Sequence, residues 1–139
     1  MKIGKLFNSE ISSVISQMGH TDSLVIGDAG LPIPSAVKRI DIALTAGFPP
    51  FLKTLEVVLI ELCVQKCLLA SEISQENPEM EKNVIKAIQS YEKERGFKVV
   101  VEYCPQEKLK EMTALSKAVV RTGETTPYSN IILFSGVTF

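Results

Sequence analysis

Histidine is nearly absent from this chain, one residue in 139, and cysteine is scarce, three residues, an odd number. The odd count does not fit a framework of paired disulfides. Cys63 and Cys67 stand four apart with no second Cys or His pair to complete a zinc site, so a redox pair or zinc half-site yields to reduced thiols of a cytoplasmic protein. Excess charge is lacking too: 15 basic and 16 acidic residues leave a formal net charge of -1. That balance gives no footprint for phosphate backbones, and nucleic acid is not an expected partner. No long apolar run is present either. The most apolar stretch, Val57 to Val64, is broken by Glu61, and the basic start Met1 to Lys5 leads into no apolar segment with a cleavage site, so neither export nor a membrane span is expected. Gly27-Asp28-Ala29-Gly30 is not a G-x-G-x-x-G fingerprint and no lysine-bearing phosphate loop occurs, which disfavours a nucleotide cofactor. One His and scattered carboxylates supply no recognisable metal-ligand cluster.

What is present is a hydrophobic fraction of 45% in a chain the size of one ordinary domain, residues 1–139, with no internal repeat or linker. Ile11, Val14, Ile15 and Met18 recur at helical spacing after the capping residues Asn8 and Ser9, with Gly19 as a natural end. Leu24 to Ile26 reads as a strand that stops at Gly27-Asp28, before a loop stiffened by Pro32 and Pro34. Alternation of Ile40, Ile42 and Leu44 predicts a second strand. A helical stripe over Phe51 to Leu62 precedes an apolar strand, Val64 to Ala70. Asn77-Pro78-Glu79 opens the longest helix, Met80 to Arg95, ended by Gly96. Phe97, Val99 and Val101 predict a strand, Pro105 starts a short polar helix through about Lys117, and Ala118 to Arg121 and Ile131 to Phe134 read as final strands. Alternating strands and helices argue a single α/β domain with a mixed or mostly parallel sheet flanked by helices.

Three places could carry chemistry. His20 lies between the first helix and the first strand, where rigid elements hold a side chain that still meets solvent; it is either a structural histidine or a proton-transfer group. Asp28 follows a strand, where α/β sheets concentrate ligand sites, and is either a loop cap or a site carboxylate. The segment Arg121 to Asn130 is rich in turn formers and hydrogen-bonding groups. It is an ordinary surface turn, or a loop in which Tyr128, Ser129 and Asn130 suit a polyhydroxylated ligand.

Three colinear strings spanning the whole chain resemble the ribose pyranase and fucose mutarotase group. They are Leu6-Phe7-Asn8 through Gly19-His20-Thr21-Asp22; Asp28-Ala29-Gly30-Leu31-Pro32-Ile33-Pro34 with Arg39-Ile40-Asp41; and Arg121-Thr122-Gly123-Glu124 with Pro127-Tyr128-Ser129-Asn130 and the Gly136-Val137-Thr138-Phe139 ending. The resemblance implies a cofactor-independent isomerase that exchanges the pyranose and furanose forms of D-ribose for catabolism. His20 would be its proton donor, and Asp28, Tyr128, Ser129, Asn130 and Lys110 its sugar contacts. It also implies a ring-shaped homo-oligomer, commonly ten subunits, in which a neighbouring chain completes each site. One departure stands out: Gln106 occupies a position where the group usually has a sugar-contacting histidine. An amide can bond a hydroxyl but cannot exchange a proton near neutrality, so His20 is expected to act alone or with Asp28. The alternatives are a mutarotase for fucose or another sugar, and a ribose-binding accessory protein without catalysis.

Overall fold

The structure, a computed structural model, describes residues Met1–Phe139. Helix α1 (Ser9–Gln17) begins where the Asn8 side chain accepts a hydrogen bond from the Ile11 N–H, as the capping pattern predicts. It leads to strand β1 (Ser23–Gly27), then β2 (Lys38–Asp41), helix α2 (Phe51–Glu61), β3 (Val64–Ala70), the short α3 (Ile73–Glu76), α4 (Pro78–Arg95), β4 (Val100–Cys104), α5 (Gln106–Thr113), β5 (Ala118–Arg121) and β6 (Ile131–Ser135). Asn77 caps α4, Pro78 occupies its first turn, and Gly96 ends it at φ 76°, a left-handed conformation that costs glycine little.

The strands form one six-stranded sheet in the order β2-β5-β1-β6-β3-β4. β2 and β1 run parallel to β5, and β4 runs parallel to β3, while β6 is antiparallel to both β1 and β3. The mixed, mostly parallel sheet expected from the sequence is therefore found, with β6 as the reversed strand. Five strands thus send their carboxyl ends to one edge of the sheet, and β6 starts there.

Every residue of β1 is buried, because the sheet is covered on both faces. Leu24 and Ile26 point into a cluster shared with α1, α2 and α4, while Val25 joins Leu31, Leu68, Leu109, Val119 and Ile132 on the α5 face. Burying Leu24, Ile26 and Val25 completely contributes ~1.5–3 kcal/mol each. All three cysteines are free; Cys67 lies in this core, where burial pushes its thiol up to about 12 and leaves it inert. No helix is long and apolar enough to cross a membrane.

Three boundaries differ from the sequence reading by more than two residues, and one short helix was not foreseen. β2 ends at Asp41, short of Ile42 and Leu44, because the Asp41 carboxylate turns back to accept the Ala43 N–H and pairs with Arg121. β4 starts at Val100 instead of Phe97, since the Phe97 ring stacks on Tyr91 and the Val99 N–H donates to Glu92. Helix α5 stops at Thr113, short of Lys117. The four-residue α3 has too few positions to show a period.

Candidate active site

The carboxyl edge gathers most of the residues singled out in the sequence. Asp28 leaves β1 and is clamped by Asn130 just before β6: Asn130 Nδ2 donates to Asp28 Oδ2 at 3.0 Å, and Asn130 Oδ1 accepts the Asp28 N–H at 2.9 Å. The Gly30 N–H donates to Asp28 Oδ1 at 2.9 Å. Burial raises the Asp28 carboxyl above its ordinary range, and the Glu124 charge adds to this, against the opposing hydrogen bonds from Gly30, Asn130 and Leu31. A carboxylate so placed is a stronger base than an exposed one, and its oxygens keep lone pairs free for a ligand.

Tyr128 and Ser129 shape the approach to Asn130. Tyr128 sits at φ 57°, uncommon for a residue with a side chain, and its ring is half-buried against the α5-side cluster. Ser129 is fully buried, its hydroxyl 2.9 Å from that of Thr126 and within reach of the Asn77 amide at 3.4 Å. Beneath this loop lies Glu124, a buried carboxylate that the sequence reading did not single out. It accepts from the Phe51 N–H at the start of α2, from the Thr125 and Thr126 N–H groups and from the Thr126 hydroxyl. One charge thus ties the β5–β6 loop to a helix N-terminus.

Gln106 opens α5 at the same edge, its N–H donating to the Glu72 carboxylate at 3.0 Å. Its Oε1 is the buried side-chain oxygen left without a hydrogen-bond partner. Such an atom is costly unless something supplies a donor, and a sugar hydroxyl is a suitable one. β4 lies three strand spacings from β1, about 14 Å at the backbone, so Gln106 and Asp28 would reach a ligand from opposite sides. Lys110, on α5, donates to Glu107 at 2.9 Å, which leaves two of its three ammonium hydrogens for other acceptors.

His20 is elsewhere. It precedes β1 at the amino edge, and the five residues of β1 at ~3.3 Å each put about 16 Å of strand between it and Asp28. A single chain therefore does not bring the imidazole to the Asp28 carboxylate. The turn bearing His20 is itself firmly built. Asp22 Oδ2 accepts the Gly19 N–H at 2.9 Å and Asp22 pairs with Lys117. Thr21, β-branched, is held at φ 69° while its N–H donates to the Ser135 carbonyl. A strained residue retained by such surroundings is a feature that clusters at functional sites. The exposed His20 ring places Nε2 3.0 Å from Gln65 Oε1. A groove of about 740 Å³ between α2 and α4 is lined by neither set of residues.

Residues 1–138 match the model of the RbsD / FucU transport protein family. The chain belongs to this family. Within it, full-length relatives include a D-ribose pyranase of Photorhabdus laumondii subsp. laumondii, 52% identical over 139 residues, and one of Salmonella agona, 48% identical, each alignment covering 100% of both chains. Among solved structures, Bacillus subtilis RbsD complexed with D-ribose superposes with a TM-score of 0.91 at 40% identity, covering 100% of both chains. The fucose mutarotase of Streptococcus pneumoniae in complex with L-fucose shares the fold, with a TM-score of 0.83 at 23% identity and 100% coverage of both chains. In this RbsD / FucU member, Gln65 and Glu124 are the site-edge residues the sequence did not disclose. Gln65 lies 45 positions from its partner His20 with no pattern to join them.

Proposed function

We propose that this chain interconverts the pyranose and furanose forms of D-ribose by proton-catalysed opening and reclosure of the ring. The observation that carries the reading is the Asp28–Asn130 clamp beside an unpartnered Gln106 oxygen, in a chain similar along its whole length to D-ribose pyranases. These groups suit hydroxyls and offer no cationic pocket for a phosphate.

Opening breaks the bond between the anomeric carbon and the ring oxygen. A proton goes to that oxygen as another leaves the anomeric hydroxyl, and an open-chain aldehyde results. Closure runs in reverse through the neighbouring hydroxyl: its oxygen attacks the aldehyde carbon, its proton departs, and the carbonyl oxygen is protonated. Atoms and charge balance without metal or nucleotide. His20 donates the ring-oxygen proton; Asp28, made more basic by burial, accepts the anomeric proton or holds the sugar; Tyr128, Ser129, Asn130 and Gln106 position the hydroxyls. Because His20 and Asp28 sit at opposite edges of one sheet, the working site joins His20 of one copy to the carboxyl edge of another. A homo-oligomer, a ring of the kind the resemblance implies, supplies that arrangement.

Saturation-transfer proton NMR on equilibrated ribose tests the reading. Exchange between pyranose and furanose signals is expected above the buffer rate and is expected to fall to it in His20→Ala. Ribose binding with no enhanced exchange in the wild type would instead make the chain a sugar-binding member of the family. A His20→Ala protein with full exchange would remove His20 from the mechanism.

A further inference from the structure

We infer that Gln65 is a positioning residue for His20, and that by holding Nε2 it makes Nδ1 the nitrogen that delivers the reacting proton. The inference rests on His20 being the proton donor. It is carried by the local geometry of β3.

Opposite β6, Val64 aligns with Ser135 and Lys66 with Phe134, so Gln65 is the extra residue of a β-bulge. A bulge leaves one residue out of the ladder and re-aims its side chain. Here Gln65 reaches His20, its Oε1 3.0 Å from Nε2. The chain entering the bulge is held by hydrogen bonds. The Tyr91 hydroxyl accepts the Val64 N–H and donates to the Leu62 carbonyl, and the Gly136 N–H donates to the Cys63 carbonyl. Gly136 packs closely there: a Cβ would stand 3.2 Å from Gln65 Cβ and 3.4 Å from Cys63 Sγ.

An amide oxygen only accepts, so Nε2 must carry hydrogen in both the neutral and the charged ring. Nδ1 is then bare in the neutral ring and protonated in the imidazolium. Delivering the Nδ1 proton to the ring oxygen of the sugar leaves the neutral ring already in the tautomer Gln65 selects, and the Nε2 hydrogen bond persists through the cycle. Use of Nε2 would break that bond at every turnover. The titratable groups on the elements around this turn have other partners. Asp22 accepts from Gly19 and pairs with Lys117 ahead of β5, and the Cys63 thiol, ahead of β3, donates to the Val137 carbonyl. Gln65, uncharged at every pH, is the side chain hydrogen-bonded to the ring.

His20 is the only histidine, so long-range proton–nitrogen NMR of the protein labelled with ¹⁵N-histidine reports this ring alone, whether or not ribose turns over. The expected result is an Nε2–H neutral tautomer in the wild type and a mixed population in Gln65→Leu. In exchange assays, Gln65→Leu should lower kcat about 10-fold or more, by loss of orientation, with KM little changed. Gln65→Glu keeps the acceptor but adds a charge that favours imidazolium, and should move the alkaline limb of the rate profile up by about one pH unit. An Nδ1–H tautomer in the wild type, an unchanged tautomer in Gln65→Leu, or an unmoved limb in Gln65→Glu would each overturn the inference. If Gln65→Leu does not fold, the wild-type tautomer and the Gln65→Glu profile decide it.

Discussion

Asp28 and Asp22 bound the same short strand and answer to acid with opposite signs. Asp28 is raised above its ordinary carboxylate value, first by burial, so the native state holds its proton more tightly than the unfolded chain does. Between the ordinary and the raised value the unfolded state binds fewer protons, and the Asp28 contribution to stability falls as pH rises. Asp22 is lowered, first by the Gly19 N–H, so its contribution is present above the ordinary carboxylate range and is lost as pH falls. Two measurements follow for Asp28. As a base it must be ionised, so the acid limb of the exchange rate should lie above that of an exposed aspartate. In urea titrations at about pH 4 and pH 7, the midpoint difference between wild type and Asp28→Ala should move in favour of the variant at the higher pH. The position of Asp28 after a strand was legible in the sequence. Its burial and the charge of Glu124 behind it were not, because both depend on a loop that returns nearly a hundred residues later.

At the scale of elements, β3 and β5 coincide with their sequence expectations, since each carries a cluster of apolar residues that a sheet covered on both faces buries. β2 and β4 do not, because side-chain contacts that the pattern does not encode decided their ends: Asp41 turning back on Ala43, and Phe97 stacking on Tyr91 instead of entering the strand. Tyr91 itself joins two elements. Placed late in α4, its hydroxyl occupies both the buried Val64 N–H and the Leu62 carbonyl at the entry to β3. Tyr91→Phe should therefore cost ~1–3 kcal/mol by leaving that N–H unpaired, read as a lower urea midpoint with an unchanged slope. The bulge at Gln65 follows directly after this clamp, so the same variant should broaden the His20 ring signals.

For the whole molecule, the decisive quantity is strand direction. One chain places His20 at one edge of its sheet and Asp28, Asn130 and Gln106 at the other, and no side-chain motion spans the strand between them. If two copies build each site, His20→Ala and Asp28→Asn chains are each inactive alone but complementary when co-assembled. Mixed oligomers should recover exchange at about a quarter of their sites, those pairing an intact His20 with an intact Asp28. Refolding the two variants together and repeating the NMR exchange measurement checks this; no recovery in a mixed oligomer would place the whole site in one chain.

The sequence by itself determined the α/β class, most element positions and the residue types able to hold a sugar, because periodicity, punctuation and side-chain chemistry are local properties. Tertiary structure alone decided that β6 runs against its neighbours, that Glu124 is buried under the β5–β6 loop, that Gln65 is turned onto His20, and that His20 and Asp28 face opposite edges. Each of these depends on contacts between residues distant along the chain, and such contacts leave no period, cap or spacing to read.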